Sequence, residues 1–491
     1  MDNWKRVIKY NLLVANVARL MVKFQYLLGE KQMAIANFGN IAAFCTSNYI
    51  GTYRWVSLEN NLIRISQKHI PIPAQETYTP GKTKKVLHVL TEGYAVGGHT
   101  QFLINWIVAD SMRKHSILFT NQQSPVPGKL RELERNFDVP VIELSASKDH
   151  LSRSKELRLL SLNYDIVILH HHSHDIIPLL AFAYSGGPSV GIINLSDHIP
   201  WIGVAIADLI IQFRETALKI DTERRQFGNA EILPIPITVK QNYCNAAARS
   251  ELGISESQVM LLTIASEYKF KPVPGYNYFE SIIKILENYP NVISYVVGVS
   301  KDSDIALNYK HERLIFAGIT SQTAKYEAAC DIYVESFPFV SLTSLLQTVA
   351  GGKACQLIYN PVLLNKCFNN QNFKYPENKA EWQNNLVRLI NEKDYRTNIA
   401  FHQSSYIVEN NVIGDSWKKK LAKCYSQLGS ATHHTAILKK SIWVYTSNER
   451  LLLDVNSTKI SLAGIVSSKN FFFKVFVFGI SKILSVYRKT I

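Results

Sequence analysis

No Cys-x-x-Cys pair occurs among the six cysteines, which stand singly at positions 45, 244, 330, 355, 367 and 424. That scatter excludes the common zinc frameworks and predicts free thiols in a reducing compartment. No apolar run reaches the roughly 18 residues that a membrane-spanning helix needs. The amino terminus is polar and basic and lacks a small-residue cleavage site, which predicts no secretory leader. Neither His-Glu-x-x-His nor Gly-x-Gly-x-x-Gly is present, so a zinc-hydrolase site and a dinucleotide fingerprint are both unsupported. Carboxylates are in short supply, with 39 Asp and Glu against 54 Lys and Arg and a net charge of +15. After Asp454 none remains, whereas Lys459, Lys469, Lys474, Lys482, Arg488 and Lys489 follow. In a chain without nucleic-acid-binding motifs, that lopsided tail favours an anionic membrane surface as partner over nucleic acid.

What is present fits a folded protein of several domains. The 491 residues are 47% apolar and 19% charged, enough for two to four buried cores. Residues 1–78 form a helical N-terminal region: apolar residues recur at helical spacing in VIKYNLLVANVARLMVKFQYLL, MAIANFGNIAAF and WVSLENNLIRIS. The spacing predicts a small bundle, read as an appendage. Pro71, Pro73 and Pro80, with Thr77, Thr79 and Gly81, mark a linker. From Lys84 the pattern changes to continuous apolar runs alternating with helical stretches. KKVLHVL, HSILFT, VPVIEL, YDIVILHHH, SVGIINL and ADLIIQF read as buried parallel strands. The alternation restarts near 258 with VMLLTIAS, ISYVVGVS, RLIFAGI and DIYVESF, after a connection at ILPIPITV. Two doubly wound α/β domains are therefore expected, over 84–235 and 236–430, followed by a basic apolar tail over 431–491. The segment 469–491 is too interrupted by Lys474 and Lys482 to span a bilayer and reads as an interfacial helix, or as one packed on the protein.

Five strand ends carry candidate chemistry. In DIYVESFPFVSLTSLLQTVAGGK (331–353) a short strand leads to Ser341, Thr343 and Ser344, where a helix begins. A helix N-terminus offers unpaired N–H groups and partial positive charge, which suits a nucleoside diphosphate. Gln347 lies one turn further in, within reach of a sugar hydroxyl, and Gly351-Gly352 ends the helix. The first strand of the chain runs into Gly97-Gly98-His99-Thr100, where glycine lets backbone approach a ligand. The fourth ends in His170-His171-His172-Ser173-His174-Asp175; neighbours on a strand point to opposite faces, which argues against a metal tract. The fifth ends in Asp197-His198, and the second domain opens with Lys269 and Lys271 after a strand.

Asp-Ile-Tyr, Ser-Phe-Pro-Phe, Thr343-Ser344 and Ala-Gly-Gly-Lys together resemble the donor-binding segment of GT-B glycosyltransferases, with the O-GlcNAc-transferase-like group as the nearest flavour. The likeness covers about residues 84–430 and is most specific at 331–353 and 84–100. It implies two Rossmann-like domains facing a cleft and transfer of a sugar from a nucleotide-sugar donor to an acceptor hydroxyl, without a metal or other cofactor. It further implies diphosphate contacts from Thr343-Ser344 and from Lys269 or Lys271, ribose contact from Gln347, base contact at Gly318, and donor contact at Gly97-Gly98. His198 or His99 would serve as general base, since an imidazole titrates near neutrality. His172, His174 and Asp197 would touch substrate, as an HxHD-like phrase does in related enzymes. Phe339 and Gln347 stand where the retaining family 4 carries two Glu, so inversion versus retention stays open. Surface-polysaccharide or glycoconjugate synthesis on a glycan, lipid-linked or protein acceptor, at the cytoplasmic face of the plasma membrane, is the implied setting. A non-catalytic GT-B scaffold and a nucleotide-sugar epimerase are the alternatives.

Overall fold

The computed structural model describes residues 3–73, 84–95, 98–197, 199–239, 243–359, 367–368, 370–438, 453 and 461–489. Contacts divide the chain into two compact units. Unit 1 joins Met1–Ala95, Asp110–Leu233 and Leu421–Ile491, and unit 2 joins Val96–Ala109 to Pro234–Lys420. The expected boundaries at 78 and 430 are not boundaries of this division. The N-terminal helices and the tail fall in unit 1 with the first sheet, and the helix after the first strand falls in unit 2. The linker expected around Thr77, Thr79, Pro80 and Gly81 lies outside the described residues.

Unit 1 is built on seven parallel strands in the order β3-β2-β1-β4-β5-β6-β7. They are β1 (Lys85–Leu90), β2 (Lys114–Phe119), β3 (Val141–Glu143), β4 (Ile166–His170), β5 (Ser189–Ile193), β6 (Leu209–Gln212) and β7 (Ala230–Ile232). Helices α1 (Asn3–Leu27), α2 (Lys31–Ser47) and α3 (Val56–His69) precede the sheet. After α4 (Gly98–Ala109), which falls in unit 2, come α5 (Gly128–Phe137), α6 (His150–Ser161), α7 (Ile176–Phe182) and α8 (Glu215–Ile220). The strands are mostly apolar because helices cover the sheet, leaving β4, β5 and β6 wholly buried. The N-terminal helices are integral to this core. Phe38, Ile41, Leu58 and Leu62 belong to one apolar cluster with Leu87, Val167, Leu180 and Ile206.

A buried arginine fastens them. Arg158 of α6, 1% exposed, donates to the carbonyls of Ile70, Pro71, Leu180 and Ala181 and to Ser66 Oγ. Its charge is tolerated there because its donors are satisfied, and burial pulls its pKa down to about 10. A second polar line crosses the sheet itself. His88 Nδ1 meets His170 Nε2 at 3.0 Å, His88 Nε2 meets His115 Nδ1 at 3.0 Å, and His115 Nε2 reaches the Asp110 carbonyl at 3.1 Å.

Unit 2 carries five parallel strands in the order β10-β9-β8-β11-β12. These are β8 (Val259–Ile264), β9 (Val292–Val297), β10 (Leu314–Gly318), β11 (Ile332–Val334) and β12 (Ala354–Gln356). Its remaining helices are α9 (Asn245–Glu251), α10 (Tyr278–Asn288), α11 (Asp304–Asn308), α12 (Ala324–Ala329), α13 (Leu342–Ala350), α14 (Lys379–Asn391) and α15 (Lys393–Asn411). Helix α16 (Asp415–Ser430) begins in unit 2 and ends in unit 1, followed in unit 1 by α17 (Leu462–Ile465) and α18 (Phe471–Lys489). The strands β7 and β12 were not anticipated. Each has three residues, and β7 ends where the connection ILPIPITV begins. Among the described residues no helix is long and apolar enough to cross a membrane.

Candidate functional site

Residues at the carboxyl ends of parallel strands are the natural place for ligand chemistry in both sheets. In unit 2, β11 leads into a loop held from behind. Glu335 is wholly buried and accepts the Ile358 N–H at 2.7 Å, while its own N–H donates to the Gln356 carbonyl. Phe337 is buried against the rings of Tyr278, Tyr359 and Trp382. Ser336 Oγ closes the turn by donating to the Phe339 carbonyl at 2.7 Å.

Lys269 grips the same loop. Its Nζ donates to the Val340 carbonyl at 2.8 Å, and its carbonyl accepts the Phe339 N–H. Burial lowers its pKa to about 8, opposed by Cys367 and Glu335. The ammonium therefore sits beside the loop that opens α13, bonded to protein. Lys271 is exposed at the end of the same short turn.

Helix α13 starts after Ser341, whose side chain makes no capping bond, so the first-turn N–H groups at Leu342, Thr343 and Ser344 have no side-chain cap. Thr343, Ser344 and Gln347 are half-buried. The first turn of α4 meets this terminus. A Cβ built on Gly98 would lie 2.5 Å from Thr343 Oγ1 and 3.3 Å from Thr343 Cβ. Any larger side chain at 98 would force Thr343 to shift, and the close approach brings the N-terminal turns of two helices together, each with its partial positive charge. His99 is the next residue of α4, half-buried, with Thr100 buried behind it. Gly318 ends β10 at φ +81°, and its carbonyl accepts the Gly298 N–H. Gly97 lies outside the described residues.

In unit 1 the strand ends gather another group. Asp175 caps α7 through the Ile177 N–H at 2.9 Å and accepts the hydroxyls of Thr91 and Thr120. Thr91 Oγ1 in turn accepts the His172 N–H at 2.8 Å. This fixes the chain after β4 against the chain after β1. The rings of His172 and Tyr94 stack within 7° of parallel, with Tyr94 Oη 3.3 Å from His172 Nε2. Tyr94 Oη also donates to Glu92 Oε2 at 3.2 Å. His174 stands beside His172, ring centroids 5.8 Å apart. Desolvation and the neighbouring His174 push the His172 pKa below its ordinary value. Tyr94 and Glu92 are the residues that reading the sequence missed. Their signal was position alone, immediately after a buried strand.

The histidine run is divided by the sheet. His170 points into the core toward His88, His171 Nε2 meets the Ile202 carbonyl at 3.0 Å, and His172 and His174 lie at the edge. Asp197 is 6% exposed and paired with Arg214, whose Nε donates to Oδ2 at 2.7 Å. Wholly buried Arg225 donates to the Asp197 and Ile199 carbonyls, and Glu59 of α3 accepts the Ala205 N–H. The Asp197 carboxylate is thus engaged in holding its own loop. His198 lies outside the described residues. Among the described residues, no cluster of His, Cys, Asp and Glu is arranged to hold a metal ion.

No protein-family model and no curated protein matches the chain. Solved structures do. A glycosyltransferase from Rickettsia africae superposes with a TM-score of 0.55 at 14% identity, covering 72% of this chain and 100% of its own. Anabaena HepE in complex with UDP and glucose gives 0.52 at 13%, covering 70% and 99%. A Thermobaculum terrenum O-GlcNAc transferase mutant gives 0.53 at 11%, covering 86% and 82%. At these identities the likeness is one of fold: two parallel sheets flanked by helices, the GT-B architecture.

Proposed function

We propose that the protein is a glycosyltransferase that moves a sugar from a nucleotide-sugar donor to an acceptor hydroxyl. The observation that carries this reading is the close approach of Gly98 to Thr343, which sets the first turn of α4 beside the first turn of α13. Such a pair of helix N-termini matches the charge of a nucleoside diphosphate and becomes more favourable as the leaving group gains charge. Ser344 and Gln347, on the same helix, extend it toward phosphate and ribose. Lys269 adds a buried positive charge beside the loop, and Lys271 an exposed one. Gly318 offers backbone to the nucleobase. The GT-B fold and the UDP and glucose held by Anabaena HepE support a nucleotide-sugar donor.

His99, one residue from the Gly98 contact, is the described candidate for general base, with His198 as its rival. In unit 1, His172 and His174 form the candidate acceptor edge, with Tyr94 and Glu92 beside His172. An acceptor on a lipid, glycan or protein would suit surface-glycoconjugate synthesis at the cytoplasmic face of a membrane, reached through the basic tail.

A thermal-shift and turnover screen against UDP-, GDP- and ADP-sugars tests this reading. One donor should stabilise the protein and slowly release nucleoside diphosphate, and Thr343→Ala and Lys271→Ala should weaken both effects. No stabilisation by any donor, with the variants indistinguishable from wild type, would overturn it and leave the scaffold reading.

A further inference from the structure

Helix α18 has apolar residues on two sides, and the fold uses one. Phe473, Val477 and Leu484, at spacings of four and seven, are buried in the unit 1 core. Phe471, Phe472, Val475, Phe476, Ile483 and Val486 point outward, Phe472 with 83% of its surface in water. At roughly 100° per residue these outward positions sweep about two-fifths of the helix circumference. Helix α1 continues the surface. Leu13, Leu20, Phe24 and Leu27 recur at helical spacing on one exposed line, Leu27 at 79%. The two helices run antiparallel, since Tyr10 meets Tyr487 at 6.5 Å and Phe24 meets Phe473 at 6.3 Å.

This pair is held in place by polar contacts. Buried Gln25 and Asn37 donate to the Ser467 carbonyl at 2.8 and 2.7 Å. The Glu30 carboxylate accepts the Lys469 and Asn470 N–H groups at 3.0 and 2.8 Å, just ahead of α18. The outward face is therefore presented by a positioned element.

Charge identifies the occupant. Neither α1 nor α18 contains an Asp or Glu, whereas Lys9, Lys23, Lys474, Lys482 and Arg488 lie along them. A second copy would bring an equally basic face and repel it, while an anionic lipid surface complements both the charge and the apolar ridge. We propose that α1 and α18 form one two-helix platform that seats the protein on an anionic bilayer, aromatic and leucine side chains inserted and lysines at the headgroups. This rests on the reading that the tail meets a membrane, and adds the N-terminal helix as its other half.

The test is flotation of the full chain with phosphatidylcholine–phosphatidylglycerol vesicles and with pure phosphatidylcholine. Only the anionic vesicles should carry the protein, and high salt should weaken binding. The exposed-site variants Phe472→Glu with Ile483→Glu, and separately Leu20→Glu with Leu27→Glu, should each lose about tenfold or more in vesicle affinity. Circular dichroism and the donor-induced thermal shift should stay at wild-type values. Absence of binding to anionic vesicles, full binding by the α1 variant, or a concentration-dependent dimer that both variants abolish would each overturn the platform. A wild type that floats but shows no thermal shift with any donor would leave the platform standing and sink only the donor site.

Discussion

The two sheets bury different chemistry. The first carries a line of imidazoles through its interior, His170 to His88 to His115, ending at Asp110. The second is backed by rings, with Phe337 wedged among Tyr278, Tyr359 and Trp382 just ahead of the loop into α13. A polar interior depends on direction and protonation, because each buried nitrogen needs a partner of the right kind. An aromatic one depends on volume. The loop into α13 is therefore seated by packed rings together with the buried Glu335 carboxylate, while the first sheet carries imidazoles through its interior.

The sharpest way to break the contrast is to remove a buried guanidinium of unit 1, that of Arg158. Arg158→Ala leaves several carbonyls without their donor, and denaturant unfolding should show a loss of about 3–5 kcal/mol. Its counterpart in unit 2 is Phe337→Ala, expected to cost about 3–4 kcal/mol through the cavity alone. Gly98→Ala acts on the site and spares the cores. Its Cβ would collide with Thr343 Oγ1, so turnover should fall on the order of 10²-fold with little change in unfolding midpoint. Adding Thr343→Ala should relieve the clash without restoring the hydroxyl.

The smallest effect tests the imidazole line. Burial, then the neighbouring His115 and His170, hold the His88 pKa well below its ordinary 6.5. The unfolded chain takes up the proton first, so the contribution of His88 is complete above pH 6.5 and declines as pH falls below it. The slope is at most about 1.4 kcal/mol per pH unit for one proton. Denaturant midpoints measured downward from neutral pH should fall less steeply in His88→Gln than in wild type, and equal slopes would remove His88 as the cause.

Much of this architecture was legible because it is repetitive. Runs such as VLHVL and VMLLTI announce buried parallel strands, and the helical periodicity of α1 to α3 is plain over whole turns. The segment 331–353 could be read as strand, hydroxyl-bearing loop and helix because each feature is local. The histidine run was less legible. Four imidazoles close together in sequence have three different fates, since β4 ends with His170 in the core and the chain beyond it carries His171 to the Ile202 carbonyl and His172 to the edge. Asp197 could be read as a ligand only while Arg214 was unseen.

By itself the amino-acid order determined the alternation of strand and helix, the helix start at Thr343-Ser344 and the absence of carboxylates from the tail. These follow from side-chain periodicity, backbone preference and simple charge. Tertiary structure alone decided that Thr343 crowds the place a Cβ at Gly98 would take. It also decided that Lys269 holds the Val340 carbonyl of the loop into α13, and that α1 and α18, more than four hundred residues apart, lie antiparallel against one another. These are contacts between residues distant in sequence, and no local preference encodes which distant atom will fill a given space.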